Sequence, residues 1–334
     1  MEKKVFGVLP TGEEVHTYTL CNADARVTIM TRGATIVDFT AFGVSIVGGF
    51  DDLETYLADT SHQGAIIGRV ANRIGGAQFT MDGKTYHVPK NNIGKHCLHG
   101  GRGFDYRVFT VKDVTEDSIT LCYTAEDGEE GFPSRLHLTV TYTLVGASLR
   151  IDYLAKPDGK TPIILTNHAY FNLDGFGGTV LDHTIQLYAD KYTELDDELI
   201  PTGRRLAVQG TPFDLNTPTR LGDRIQGAFT GYDIYFQANP RSFAQFDDKR
   251  LGLLAEVNNG KLKLQTYTDQ PGAQLYTANT MGNGPDFKGK VKKINYGAFC
   301  IETHTEPNCI SRGEEWYDAG DTYTQTTVYT VSKL

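Results

Sequence analysis

Strict alternation of apolar and polar residues recurs along this chain, and it constrains the fold more than any other feature. Leu136, Leu138, Val140, Tyr142 and Leu144 alternate with Arg135, His137, Thr139, Thr141 and Thr143. Leu149, Ile151 and Tyr153 alternate with Arg150 and Asp152; Ile119, Leu121 and Tyr123 with Ser118, Thr120 and Cys122; Leu262 and Leu264 with Lys261, Lys263 and Gln265. A period of two puts one apolar face on a strand, which is the signature of half-buried antiparallel sheets. Turn dipeptides separate the runs: Asp82-Gly83, Asp127-Gly128, Asp158-Gly159, Asn259-Gly260 and Asn283-Gly284. Helical spacing is scarce. Asp51–Leu57 is the best candidate, about two turns long, with Leu53, Tyr56 and Leu57 on one face. The expectation is an all-β fold, a large antiparallel β-sandwich of two long stacked sheets with very little helix. No linker, low-complexity tract or internal repeat divides residues 1–334, so a single domain is expected.

The composition narrows the class. Glycine at 36 residues, with 18 Tyr and 17 Phe, supplies many turns and many strands. The formal net charge of −9 argues against a nucleic-acid partner, which calls for basic patches. It also disfavours a strongly anionic substrate. The five cysteines, Cys21, Cys97, Cys122, Cys300 and Cys309, are scattered and form no C-x-x-C pair. Reduced thiols suit a cytoplasmic protein. The segment Met1–Gly7 has no apolar core of signal-peptide length, and no run is long enough for a membrane helix.

Several familiar motifs fail on inspection. Gly284–Lys290 has the glycine and lysine spacing of a phosphate-binding loop, but Val291 stands where a Mg²⁺-holding hydroxyl is needed. Gly68–Gly76 carries glycines only at its ends, unlike a dinucleotide fingerprint. No G-x-S-x-G elbow exists. His96 and His99, or Glu302 with His304, fit no standard zinc spacing, so no metal is expected.

Chemistry concentrates in polar residues set within apolar strands. After the buried run Ile163–Leu165, an extended chain would place Thr166, His168, Tyr170 and Asn172 on one face, backed by Phe171 and Leu173. A buried histidine within a hydrogen-bonded strand is the plainer alternative. Near the C-terminus, Cys300, Glu302 and His304 share a face, opposite Phe299, Ile301 and Thr303. A carboxylate in an apolar strand is costly to bury, so Glu302 sits either on an exposed edge or at work in a cleft. Asp233 lies among aromatics, Gln274 shares a face with Tyr276, and Asn72, Arg73 and His99 add donors. Such groups, with aromatic faces beside them, are what a cleft needs to read a ring of hydroxyls.

These segments resemble the aldose 1-epimerase (galactose mutarotase) family. The likeness rests on Gly68–Ile74, Leu98–Gly101, Asn167–Leu173, Gly231–Asp233, Gln274–Asn279 and Phe299–Thr303, in the family's order. It implies a galactose-mutarotase-like supersandwich with an open sugar cleft. It implies His168 as general acid and Glu302 as general base, with Asn72, Arg73, His99, Tyr170, Asp233 and Gln274 lining the cleft. The stretch Asn91–Cys97 is about one residue longer than the family pattern. Opening a hemiacetal ring takes one acid and one base, with no redox step, metal or other cofactor. The expected partner is a small aldose, and the expected assembly a monomer or homodimer. Three alternatives stand beside this. A non-catalytic sugar-binding module would lack the acid or the base. A hexose 6-phosphate epimerase would want basic residues, for which Arg69 and Arg73 are candidates. A glycosidase would want two carboxylates flanking the bond.

Overall fold

The computed structural model describes residues 1–228 and 230–334. Its backbone is one long antiparallel sheet, two five-stranded antiparallel sheets and several two-stranded ribbons. The long sheet runs in the order Thr110–Val114, Ser118–Ala125, Leu136–Val145, Ser148–Pro157, Tyr323–Lys333, Leu262–Thr268, Lys249–Asn258, Thr184–Leu187, Thr219–Arg220. One five-stranded sheet is N-terminal, from Glu2–Val8 to Val44–Ser45. The other builds the cleft, in the order Pro201–Ala207, Ala189–Leu195, Asp233–Ala238, Gly272–Tyr276, Cys300–Thr303.

The alternation read from the sequence is realised. Leu136, Leu138, Val140, Tyr142 and Leu144 are buried while His137 and Val145 are exposed. Burying such a side chain contributes about 1.5–3 kcal/mol. The main core draws on all three sheets: Ile36 and Phe39, Leu138 and Tyr142, Ile234 and Ile301. Tyr142 and Tyr329 spend their hydroxyls on the carbonyls of Ala34 and Ile301, which lets phenols sit at the sheet interfaces. Asp82-Gly83 joins Gln78–Met81 to Lys84–His87 with both residues at positive φ, as a type I′ turn demands.

The helix is Leu53–Ala58, capped by Asp52, whose carboxylate accepts from the Thr55 N–H at 2.8 Å. Leu53 and Tyr56 are buried as expected, but Leu57 is 40% exposed. The cover comes from Phe6 and Phe50 on Tyr56 and from Gly7, where a Cβ would meet Leu53 at 2.8 Å; it reaches only the first turn.

The stretch after Leu165 also departs from expectation. Only Thr166–Asn167 is strand. The Asn167 side chain donates to the Gly64 carbonyl at 2.8 Å and accepts from the Ala169 N–H at 3.1 Å, which bends the chain. Asn172 turns away to donate to the carbonyls of Gly297 and Gly178. Of the four residues expected on one face, His168 and Tyr170 reach the cleft; Thr166 and Asn172 are structural. The apolar backing by Phe171 and Leu173 holds.

Candidate active site

Strand pairings and turns that the sequence accounts for place Arg73, His99, Gln274, His168 and Tyr170. Arg73–Ile74 pairs with Cys97–Leu98, which sets Arg73 opposite Leu98 and brings His99 beside Asn72. His99, Gly100 and Gly101 are three successive positive-φ residues. A Cβ on Gly100 would meet the Arg69 nitrogen at 2.8 Å, so this tight turn requires glycine there. The stretch 91–97 is tied at its ends: Asn91 donates to the Leu98 carbonyl at 2.9 Å and accepts its N–H at 2.8 Å. Gln274 is the direct cross-strand neighbour of Glu302. Phe171 and Phe299 exchange both backbone hydrogen bonds, at 2.7 and 2.9 Å, which docks His168 and Tyr170 against the Glu302 strand.

The result is an open cleft of about 1000 Å³ lined by all eight of His168, Glu302, Asn72, Arg73, His99, Tyr170, Asp233 and Gln274. His168 Nε2 stands 3.6 Å from a Glu302 carboxylate oxygen, too far for a hydrogen bond. The other oxygen of Glu302, Oε2, is buried without a partner among the described residues, and so is Arg73 Nε. Asp233 accepts from Gln274 Nε2 at 2.6 Å and lies 3.5 Å from Arg73 Nη2. Tyr170 stacks on His168, with centroids 4.9 Å apart, and donates to the Ser61 carbonyl. Although Glu302 belongs to an edge strand, it is only 2% exposed. Buttressing comes from behind, where Thr303 Oγ1 meets Thr327 Oγ1 on the long sheet at 2.6 Å.

Burial dominates the electrostatics. It pushes His168 down to about 3, with a further lowering from His62. It pushes the Glu302 carboxyl well up, reinforced by Asp233 and opposed by Arg73. His99 is driven well below the usual imidazole range, by burial first and then by His62 and His168. Burial therefore favours the neutral forms of His168 and Glu302.

Two corrections follow from the placement. His304 does not line the cleft; it is fully buried, with Nδ1 against the Thr305 carbonyl. Arg69 is not a phosphate ligand, because its Nη1 donates to Pro133 O, Ser134 O and Thr161 Oγ1 away from the cleft. The sequence reading also missed cleft residues. His62, Asp59 and Lys293 line it too. They lie in runs without alternation, and only the fold brings them in.

His99, His168 and Glu302 offer three ligand atoms within 4.8 Å of one another. The donor set nonetheless suits a metal poorly. His99 Nδ1 accepts the Asn72 backbone N–H at 3.2 Å, so the ring proton is on Nε2. Either nitrogen is then unavailable to a cation without breaking that bond.

Fold and site together define a β-sandwich protein in which a buried imidazole and a buried carboxyl face a cleft lined by amide, guanidinium, carboxylate and aromatic side chains. Comparison with known proteins agrees. The aldose 1-epimerase family model matches residues 16–330. A galactose mutarotase of Rattus norvegicus is 39% identical over 324 residues, covering 93% of this chain and 91% of the relative. An aldose 1-epimerase of Escherichia coli K12 is 32% identical over 332 residues, covering 92% and 94%. The crystal structure of an aldose epimerase homologue from C. elegans superposes with a TM-score of 0.85 at 26% identity, covering 95% and 99%. The chain belongs to the aldose 1-epimerase family, whose members are isomerases with mutarotase function. No helix among the described residues is long and apolar enough to cross a membrane.

Proposed function

We infer that the cleft interconverts the α and β anomers of free aldohexoses such as galactose and glucose, by opening and reclosing the ring. The observation that carries this reading is the uncommitted pair: Glu302 Oε2 is buried without a partner among the described residues, and the other oxygen, Oε1, stands 3.6 Å from His168 Nε2. Glu302 takes the proton of the C1 hydroxyl while His168 protonates the ring oxygen, and the bond from C1 to that oxygen breaks. Rotation about C1–C2 presents the other carbonyl face, and reclosure runs the transfers backwards. Proton transfer of this kind contributes about 10² to 10⁴-fold. Asn72, Arg73, His99, Tyr170, Asp233 and Gln274 hold the ring and add an orientation effect.

The neutral resting pair does not conflict with these roles. Neutral His168 with protonated Glu302 carries the same number of protons as imidazolium with carboxylate. One proton moved across the gap interconverts the two states. Sugar hydroxyls donating to the carboxylate, with Arg73 beside it, favour the charged form.

A phosphorylated sugar is disfavoured. Of the basic groups in the cleft wall, Arg73 faces Asp233 and Lys293 is paired with Asp59 at 2.9 Å, while Glu194, Asp196 and Asp197 add negative charge. We read the chain as one domain over 1–334, supported by a core cluster that runs from Tyr18 to Val331. We also read it as a cytoplasmic monomer or homodimer without nucleic-acid partners, supported by the free cysteines and the net charge of −9. Polarimetry on freshly dissolved anomers of galactose and glucose tests the activity. Optical rotation that relaxes no faster than in buffer overturns it.

A further inference from the structure

His62 is a third imidazole in the cleft, and its chemistry is the mirror image of its neighbour's. Its Nδ1 lies 2.7 Å from an oxygen of the buried Asp105 carboxylate. A carboxylate only accepts, so Nδ1 carries the proton and the neutral ring's Nε2 is an acceptor. That Nε2 has no partner among the described residues and is not sealed from solvent. His99 is set the other way. Its Nδ1 accepts the Asn72 N–H, so its Nε2–H is a donor. The two rings meet edge to face, with centroids 4.7 Å apart at 67°.

The loop that carries His62 is held firmly. His62 itself has φ +55°. Just before it, Asp59 accepts from the Ser61 N–H at 2.9 Å, and the Tyr170 hydroxyl donates to the Ser61 carbonyl at 3.0 Å. Lys293 donates to Asp59 at 2.9 Å and to Ser61 Oγ at 3.2 Å, under the faces of Phe50 and Phe287. A side chain on such a platform is pre-oriented, and pre-orientation is what selective binding needs.

We propose that His62 and His99 form a hydroxyl clamp, in which one sugar hydroxyl donates to His62 Nε2 and accepts from His99 Nε2–H. A hydroxyl is the group that satisfies both nitrogens at once. An ether oxygen or a fluorine serves only His99, and an ammonium group serves only His62. The clamp makes His62 a specificity-determining residue, with Asp105 fixing its tautomer and Lys293 fixing its loop. This rests on the sugar-cleft reading above but not on the acid–base roles.

Calorimetric affinity separates the two. Galactose, glucose and their monodeoxy, O-methyl and fluoro derivatives are titrated into the wild type and His62→Phe. The assay is run at about pH 8, above the usual imidazole range. His62→Phe keeps a ring against His99 but removes the acceptor. The wild type should lose roughly three- to tenfold in affinity for derivatives altered at one hydroxyl. His62→Phe should weaken the parent sugar by a similar factor and become indifferent to substitution at that same hydroxyl. His62→Gln, whose amide can donate to Asp105 and still present an oxygen, should regain part of the discrimination. Equal weakening across the whole series, or no weakening, overturns the clamp. A wild type that binds sugars with this positional pattern yet fails polarimetry refutes the epimerase reading and leaves the clamp standing.

Discussion

Two sheets made from the same strand chemistry treat their polar side chains in opposite ways. On the long sheet they pair with one another. Thr120 meets Thr141 at 3.0 Å, Ser148 meets Thr330 at 3.0 Å, and Arg150 grips both oxygens of Asp152 at 2.6 and 2.9 Å. All six are half-buried, so water completes what the pairs leave over. On the cleft sheet, Gln274 and Glu302 are 3% and 2% exposed, and Glu302 Oε2 stays unpaired, as does Arg73 Nε across the cleft. An unmade hydrogen bond at a buried group costs about 1–3 kcal/mol, more when it is charged. These long-sheet pairs avoid that cost, which the same sheet carries only at a neutral hydroxyl, Thr266 Oγ1, among the described residues, while the cleft sheet carries it on the ionisable Glu302. In the proposed reading, a bound sugar supplies the missing partners at the cleft.

The most severe way to break the contrast is Glu302→Gln. An amide of the same shape cannot accept the C1 proton, so kcat should fall on the order of 10²-fold or more while affinity by calorimetry largely survives. The variant should also melt higher than the wild type, by an amount that grows with pH. Burial raises the folded-state pKa of Glu302 above its unfolded value. Its neutral form is tolerated at low pH, and stability is lost as pH rises and the unfolded chain ionises first. Near wild-type turnover would place the base elsewhere.

In the proposed reading, Arg73→Ala and Asp233→Ala each remove a charged partner for sugar hydroxyls, and such bonds contribute roughly 1.5–3 kcal/mol. Because the two side chains face each other and Gln274 binds Asp233, the double variant should lose less than the sum. Additive losses, or none, would show that the cleft sheet does not work as one network.

The pH profile of kcat/KM sharpens the contrast further. The proposed mechanism needs one mobile proton on the His168–Glu302 pair. Adding a second means protonating His168, which burial holds near 3, and removing the one means ionising Glu302, which burial pushes up. The plateau should therefore persist through the usual imidazole range of about pH 5–8, with the acid limb below it. A limb near 6.5, the ordinary imidazole value, would show that His168 titrates as a surface histidine does.

The smallest effect is expected on the long sheet. Thr120→Val breaks one satisfied pair, should cost no more than about 1 kcal/mol in denaturant unfolding, and should leave kcat and KM unchanged. Loss of activity there would mean the two sheets are coupled.

Much of the fold was legible in the chain because strand periodicity is local. The faces of Leu136–Val145 and Ser148–Pro157, the Asp82-Gly83 turn and the Asp52 cap each depend on neighbours within a few residues. The eight cleft residues were legible through family motifs, which are also local strings. The reading failed where a side chain overrode the local pattern. Asn167 bends the chain that alternation drew straight, and it does so by reaching Gly64, 103 residues away.

By itself, then, the sequence determined an antiparallel β architecture and which imidazole, carboxyl, amide and guanidinium groups the chain possesses. The tertiary structure alone decided their states. Burial by segments far apart in the chain sets the charges of His168 and Glu302. The Asn72 N–H, 27 residues from His99, and the Asp105 carboxylate, 43 residues from His62, turn two identical imidazoles into a donor and an acceptor. Periodicity is written into neighbouring residues, but protonation and tautomer depend on whichever groups the fold brings within about 3 Å.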